Sequence, residues 1–164
     1  MQKEKSTRGN AGQFFVAGEL CRRGYIAAVT LGNSPNTDIL CSNTEGTKAV
    51  HIQVKSFVPG NRTCSVGRKA EKPYTEDFFW VLAGIPERDS NSQFVYYVIP
   101  ADVMARNVHE IHHRWLEEPG RDGRAHVDNK VRAVTLPPYV APYTNWDISE
   151  YENRWDLIER KLGS

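Results

Sequence analysis

Asp38-Ile39-Leu40-Cys41-Ser42-Asn43-Thr44-Glu45-Gly46-Thr47-Lys48-Ala49-Val50-His51-Ile52-Gln53-Val54-Lys55-Ser56-Phe57 is the stretch on which the reading of the chain turns. Two runs of strand-forming residues flank Glu45-Gly46, a turn signal, so Asp38 to Ser42 and Lys48 to Phe57 read as the arms of a hairpin. In the second arm Val50, Ile52 and Val54 alternate with His51, Gln53 and Lys55, which sends the two sets to opposite faces. A turn centred on Glu45-Gly46 pairs Thr44 with Thr47, Cys41 with Val50, Ile39 with Ile52 and Asp38 with Gln53. That register puts the apolar residues of both arms on one face. A slip of one residue would scatter them, so the pattern specifies its own pairing. Asp38, Gln53 and Lys55 then project from the other face, with cross-strand neighbours roughly 5 Å apart at Cβ.

Outward from the hairpin, the upstream residues Arg8 to Arg23 suit a helix closed by Gly24. Phe14, Phe15, Ala17, Gly18 and Cys21 are its candidate apolar side. Residues 1–7 are polar and expected to fray and be disordered. Tyr25 to Leu31 reads as a strand, and Gly32-Asn33-Ser34-Pro35-Asn36-Thr37 as a loop. Downstream, Pro59 to Pro73 is polar and basic, with Arg62, Arg68, Lys69 and Lys72 against Glu71. Phe78 to Ile85 and Phe94 to Ile99 barely alternate, as strands covered on both faces do. Ala101 to Glu117 follows as a helix and Pro119 to Asn129 as a loop. Val131 to Leu136 reads as a short strand. Trp146 to Leu162 reads as a closing helix with Asn145 as its N-cap. The order implies an α/β sandwich, a mixed central β-sheet flanked by helices, in a single domain over 1–164.

Composition narrows the function classes. Of 164 residues, 40% are hydrophobic and 25% charged, and the net charge is +1, so any nucleic-acid surface must be local rather than global. The three cysteines, Cys21, Cys41 and Cys64, form no C-x-x-C pair and are read as reduced thiols, not a zinc site. No apolar run approaches the roughly 20 residues that span a bilayer, and no apolar signal core is present. The expected setting is cytoplasmic.

The shared polar face has a chemical meaning. A carboxylate with further oxygen donors can hold Mg²⁺, or Mn²⁺ in its place, and such an ion keeps several waters. It activates water for attack on a phosphodiester and offsets the charge that develops on phosphorus. A neighbouring ammonium orients the nucleophile or the phosphate. Asp38 followed by Ile52-Gln53-Val54-Lys55-Ser56 resembles the PD-(D/E)XK nuclease superfamily, with Thr37 in place of Pro and Gln53 in place of the acidic residue. Gly12, Gly18-Glu19-Leu20 and Gly24-Tyr25 resemble the first helix of Holliday-junction resolvases and related restriction-type enzymes, as does Asn33 in the following loop. Asp77-Phe78-Phe79-Trp80-Val81-Leu82 and Val98-Ile99-Pro100-Ala101 resemble the next two strands.

The resemblance implies a restriction-endonuclease-like fold and a metal-dependent endonuclease, with DNA as the expected substrate. It assigns Asp38 as central metal ligand, Gln53 as oxygen ligand, Glu19 as outer or second-metal ligand and Lys55 as the group orienting water or phosphate. It is also compatible with a homodimer. Arg62, Arg68, Lys69 and Lys72 are the expected phosphate contacts. The alternative is a catalytically silent module of the same fold that binds nucleic acid or a protein partner. His109-Glu110-Ile111-His112-His113 matches a zinc-protease pattern literally, but no further ligand follows at a suitable spacing, and an amphipathic surface helix is the better reading. Trp146 and Trp155 read as core residues, and His51 as a neighbour of the site.

Overall fold

The computed structural model describes residues 2–30, 34–120 and 122–163. Leu31, Asn33 and Arg121, and with them parts of two expected loops and one strand end, lie outside these residues. The hairpin forms in the expected register: β2 (Ile39–Ser42) pairs antiparallel with β3 (Ala49–Phe57), Ile39 opposite Ile52 and Cys41 opposite Val50. Gly46 takes the positive φ of 67° that its turn requires. β1 (Ile26–Val29) adds antiparallel to β2. β5 (Phe78–Gly84) lies parallel to β3 on its other side, and β6 (Val95–Pro100) closes the sheet antiparallel to β5. The order is β1-β2-β3-β5-β6, a five-stranded mixed sheet. Every residue of β5 is buried, consistent with its unbroken apolar run.

Helices α1 (Gln2–Arg22) and α3 (Asp156–Leu162) cover one face of the sheet. On the other face lie α2 (Ala101–Glu117), the single helical turn Arg68–Glu71, and a second, two-stranded sheet of β4 (Thr63–Ser65) with β7 (Ala133–Thr135). Val16, Leu20, Ile39, Ile52, Val81 and Trp155 fill the first core; Phe57, Cys64, Trp80, Ile99, Met104 and Val134 belong to the second. Both tryptophans expected in the core, Trp146 and Trp155, are buried.

Four expectations change. The helix begins at Gln2, not Arg8. Its buried side is Gly12, Val16, Ala17 and Leu20, while Phe14 and Phe15 are 66% and 45% exposed and Cys21 and Gly18 face outward. The 3.6-residue period through Val16 and Leu20 excludes the aromatic pair, and Phe15 instead meets Phe94 at 4.5 Å between ring centroids. The basic segment is not a plain loop. It contains β4 and a helical turn pinned by Arg132, whose buried guanidinium pairs with Glu71. The closing helix is also interrupted. A helical turn over Ile148–Tyr151, capped by Asp147, is followed by Glu152 bridged to Tyr97 and by Asn153 at φ 52°, and α3 starts only at Asp156. Asn145, with φ 54°, is not a helix cap. Burying Ile148 in one core and Trp155 in the other requires the chain to break between them.

What seats α1 on the sheet is the absence of a side chain at Gly12. A Cβ there would collide with Ser56 Oγ, a buried hydroxyl with no hydrogen-bond partner among the described residues, and would lie 3.5 Å from Val54 Cγ1. Gly12→Ala is expected to destabilise, because overpacking of about 1–3 kcal/mol outweighs the roughly 1 kcal/mol that Ala gains over Gly in a helix. Adding Ser56→Ala removes the colliding atom. The double variant should then unfold at or above the wild-type denaturant midpoint. Chemical denaturation of the two variants decides this, and a double variant no better than Gly12→Ala would place the clash elsewhere.

Candidate active site

Asp38 sits one residue before β2, held by its backbone. Its N–H donates to Ile52 O at 2.9 Å, and its carbonyl accepts from Thr30 N at 2.9 Å and from Thr30 Oγ1 at 3.3 Å. Its side chain turns to β3. Oδ2 accepts from Val54 N at 2.8 Å and from Gln53 Nε2 in a short contact. Oδ1 receives no hydrogen bond from any described residue. Gln53 is 7% exposed and Lys55 is half-buried. The structure therefore brings Asp38, Gln53 and Lys55 together in one cleft of about 590 Å³. Its other walls include Ser56, Asn61, Thr63 and Ser65 of β3, β4 and the turn between them, and Arg8, Gly9 and Gln13 from the first half of α1.

Glu19 is not part of this cleft. Its carboxylate is held by Arg22 at 2.8 Å and Arg23 at 2.8 Å, and Arg23 reaches on to Glu159 of α3 at 3.0 Å. The Arg22 hydrogen bond, with help from Arg23, lowers the Glu19 pKa. It is six positions from Gln13, roughly 9 Å along the helix axis and well round from Gln13's face. The residue that α1 delivers to the site is Gln13. It precedes Val16, Ala17 and Leu20 at helical spacings of three, four and seven, so the buried stripe of the helix runs through it. That periodicity is the signal in the sequence that marks Gln13. Arg8 lies one helical turn before Gly12 on the same side.

The four basic residues after β3 are all exposed and none lines the cleft. Lys69 comes nearest. Its ammonium donates to Pro35 O and acts on the Asp38 carboxylate. Arg68 pairs with Asp128 at 3.4 Å, Arg62 lies 4.8 Å over the Tyr139 ring, and Lys72 follows the helical turn. His51 is exposed beside the site, with Nδ1 3.2 Å from Thr37 Oγ1. On α2, His109 and His113 are exposed and His112 pairs with Asp128 at 2.8 Å. Among the described residues no group of three or more His, Cys, Asp or Glu side chains is arranged to hold a metal. The helix that carries the pattern is amphipathic, with Met104 and Val108 buried and His109 and His113 exposed.

Comparison with solved structures settles the architecture. A bacterial homing endonuclease, I-Ssp6803I, superimposes with a TM-score of 0.58 at 19% identity, over 96% of this chain and 93% of that one. The chain has the restriction-endonuclease-like fold. The Holliday junction resolvase Hjc of the archaeal hyperthermophile Archaeoglobus fulgidus also matches, with a TM-score of 0.41 and 14% identity, over 77% of this chain and 83% of that one. No protein-family model and no curated protein sequence matches the chain. Among the described residues no helix is long and apolar enough to cross a membrane.

Burial raises the Asp38 pKa above its ordinary 3.8, against the opposing pull of the Val54 N–H, Lys55, Lys69 and Gln53. Since the folded value lies above the unfolded one, the protonated form favours folding. This stability is complete below the ordinary value and is lost as pH rises through the raised one. Asp38→Asn removes the desolvated charge and is expected to raise the thermal midpoint of the metal-free protein at neutral pH. The gain should disappear under acid conditions. A variant less stable than wild type at neutral pH, measured in EDTA, would mean that the carboxylate is stabilised where it stands.

Proposed function

We propose that the protein is a metal-dependent endonuclease that hydrolyses phosphodiester bonds in DNA. The observation that carries this reading is the convergence of Asp38, Gln53 and Lys55 in one cleft of a restriction-endonuclease-like fold. The donor set suits a hard divalent cation such as Mg²⁺ or Mn²⁺. Asp38 Oδ1 accepts no hydrogen bond from any described residue, the Gln53 amide oxygen is a neutral second donor, and Mg²⁺ commonly takes only one or two protein carboxylates, completing its shell with water and phosphate. When bound, the ion supplies an activated water and a Lewis acid beside the scissile phosphate. Glu19, tied into its arginine pairs, is left out of the ligand set.

The chain's own groups do the rest. Val54 N–H and the Gln53 amide hold Asp38 in one orientation. Lys55, next but one along the same face of β3, places its ammonium against the phosphate or the attacking water. Lys69, and more distantly Arg62, Arg68 and Lys72, supply positive charge along the path of the nucleic acid backbone.

A catalytically silent binding module is the second reading, favoured by the single carboxylate in the cleft. Cleavage separates the two. Incubation of supercoiled DNA with Mg²⁺ should give nicked or linear product, and excess EDTA should stop it. Asp38→Ala and Lys55→Ala should each slow cleavage by at least about a hundredfold while leaving the circular dichroism spectrum unchanged. Wild-type rates in either folded variant would remove the assignment.

Gln53→Glu tests the amide. It converts a neutral donor to a charged one with little change of shape, so the Mg²⁺ concentration for half-maximal binding or activity should fall. In EDTA the same variant should be less stable than wild type, because two carboxylates then meet in a buried site. An unmoved half-maximal concentration would show that this side chain does not touch the ion.

A further inference from the structure

Among the described residues, the charged groups lining the cleft are Arg8, Lys55 and Asp38. Two cationic side chains and one carboxylate thus line it, and the remaining polar side chains there (Gln13, Gln53, Ser56, Asn61, Thr63 and Ser65) are neutral. The cleft is electropositive on the strength of its own side chains. A site whose carboxylates outnumber its cations repels a phosphodiester until a metal is present; here that barrier is missing.

Arg8 is the group not yet given a role. It is one helical turn from Gly12, whose contact with Ser56 fixes this end of α1 against β3. The Arg8 side chain is 31% exposed and lies on the ridge between the cleft and a neighbouring hollow lined by Ile85, Pro86, Glu87 and Asp89. In the hollow its guanidinium meets Glu87 Oε1 at 3.7 Å, and the Glu87 side chain is 67% exposed. A long, exposed pair of this kind contributes little. A phosphate diester offers the same guanidinium two oxygens in the fork geometry that arginine matches.

We propose that Arg8 is a phosphate-holding residue of this cleft. It exchanges Glu87 for a backbone phosphate of duplex DNA, so that DNA is bound before and without the divalent cation. The choice of DNA rests on the nuclease reading above. Glu87 acts as an internal competitor that occupies Arg8 when no DNA is present.

The test is fluorescence anisotropy of a short fluorescein-labelled DNA duplex with the full chain in excess EDTA, over a series of salt concentrations. Wild type is expected to bind. Arg8→Ala should weaken binding about tenfold and reduce the log–log salt slope by about 0.9, the loss of one phosphate contact on duplex DNA. Arg8→Lys should restore part of the affinity. Glu87→Gln should tighten binding, and being at an exposed surface position it keeps the idea testable if Arg8→Ala fails to fold. Absence of binding in EDTA, superimposable wild-type and Arg8→Ala curves, or a Glu87→Gln variant that binds like wild type would overturn the proposal. The nuclease reading is scored separately, by cleavage of supercoiled DNA in Mg²⁺. An Arg8 effect without cleavage removes that reading and keeps this one; cleavage with binding indifferent to Arg8 does the reverse.

Discussion

The structure depends on the pairing of β2 with β3. Ile39 opposite Ile52 and Cys41 opposite Val50 give the sheet one wholly apolar face on which α1 can rest. The same register puts Asp38 beside Gln53 and lets the Val54 N–H reach Asp38 Oδ2. Because side chains alternate with a period of two, a one-residue shift would bury His51 and Gln53 under α1 and expel Ile52 and Val54. Core and cleft are therefore two consequences of one register, and neither can be altered without the other.

A second constraint acts at the far end of β3. α1 comes close enough to Ser56 that a Cβ at position 12 would collide with its hydroxyl. That approach aligns Arg8, Gly9 and Gln13 with the upper end of β3, where Lys55 and Ser56 lie, and so forms one wall of the cleft. The opposite wall comes from β4, which is held against β7 and, through Arg132 and Glu71, against the helical turn that carries Lys69. The cleft is thus the gap between two packed layers meeting at the end of one strand. Asp38 is held there by a backbone amide and a side-chain amide while burial works against its charge.

Much of this was legible in local pattern. The hairpin register, the apolar β5, the span of α2 and the adjacency of Asp38, Gln53 and Lys55 all follow from short-range periodicity and turn chemistry. The misreadings share a cause: they turned on which side of an element meets a partner distant in sequence. Phe14 and Phe15 are hydrophobic, yet they sit off the stripe that docks on the sheet. Glu19 is acidic and placed where the family resemblance suggested, yet Arg22 and Arg23 hold its carboxylate, and Arg23 links it to Glu159 of α3. The break at Glu152 and Asn153 reflects competition between two cores for Ile148 and Trp155, and no window around either residue contains that information.

By itself, the sequence determined the sheet's central pairing and the polar triad on its open face, because alternation, turn residues and register act within about twenty positions. Only the tertiary structure decided which residues of α1 complete the site. Helical side chains repeat around the axis, and a helix of 21 residues offers several polar positions to its surroundings. The choice among them follows from a steric fact at Gly12 and Ser56, two residues far apart in the chain, which leaves Gln13 and Arg8 lining the cleft that holds Asp38 and Glu19 bound to its arginines.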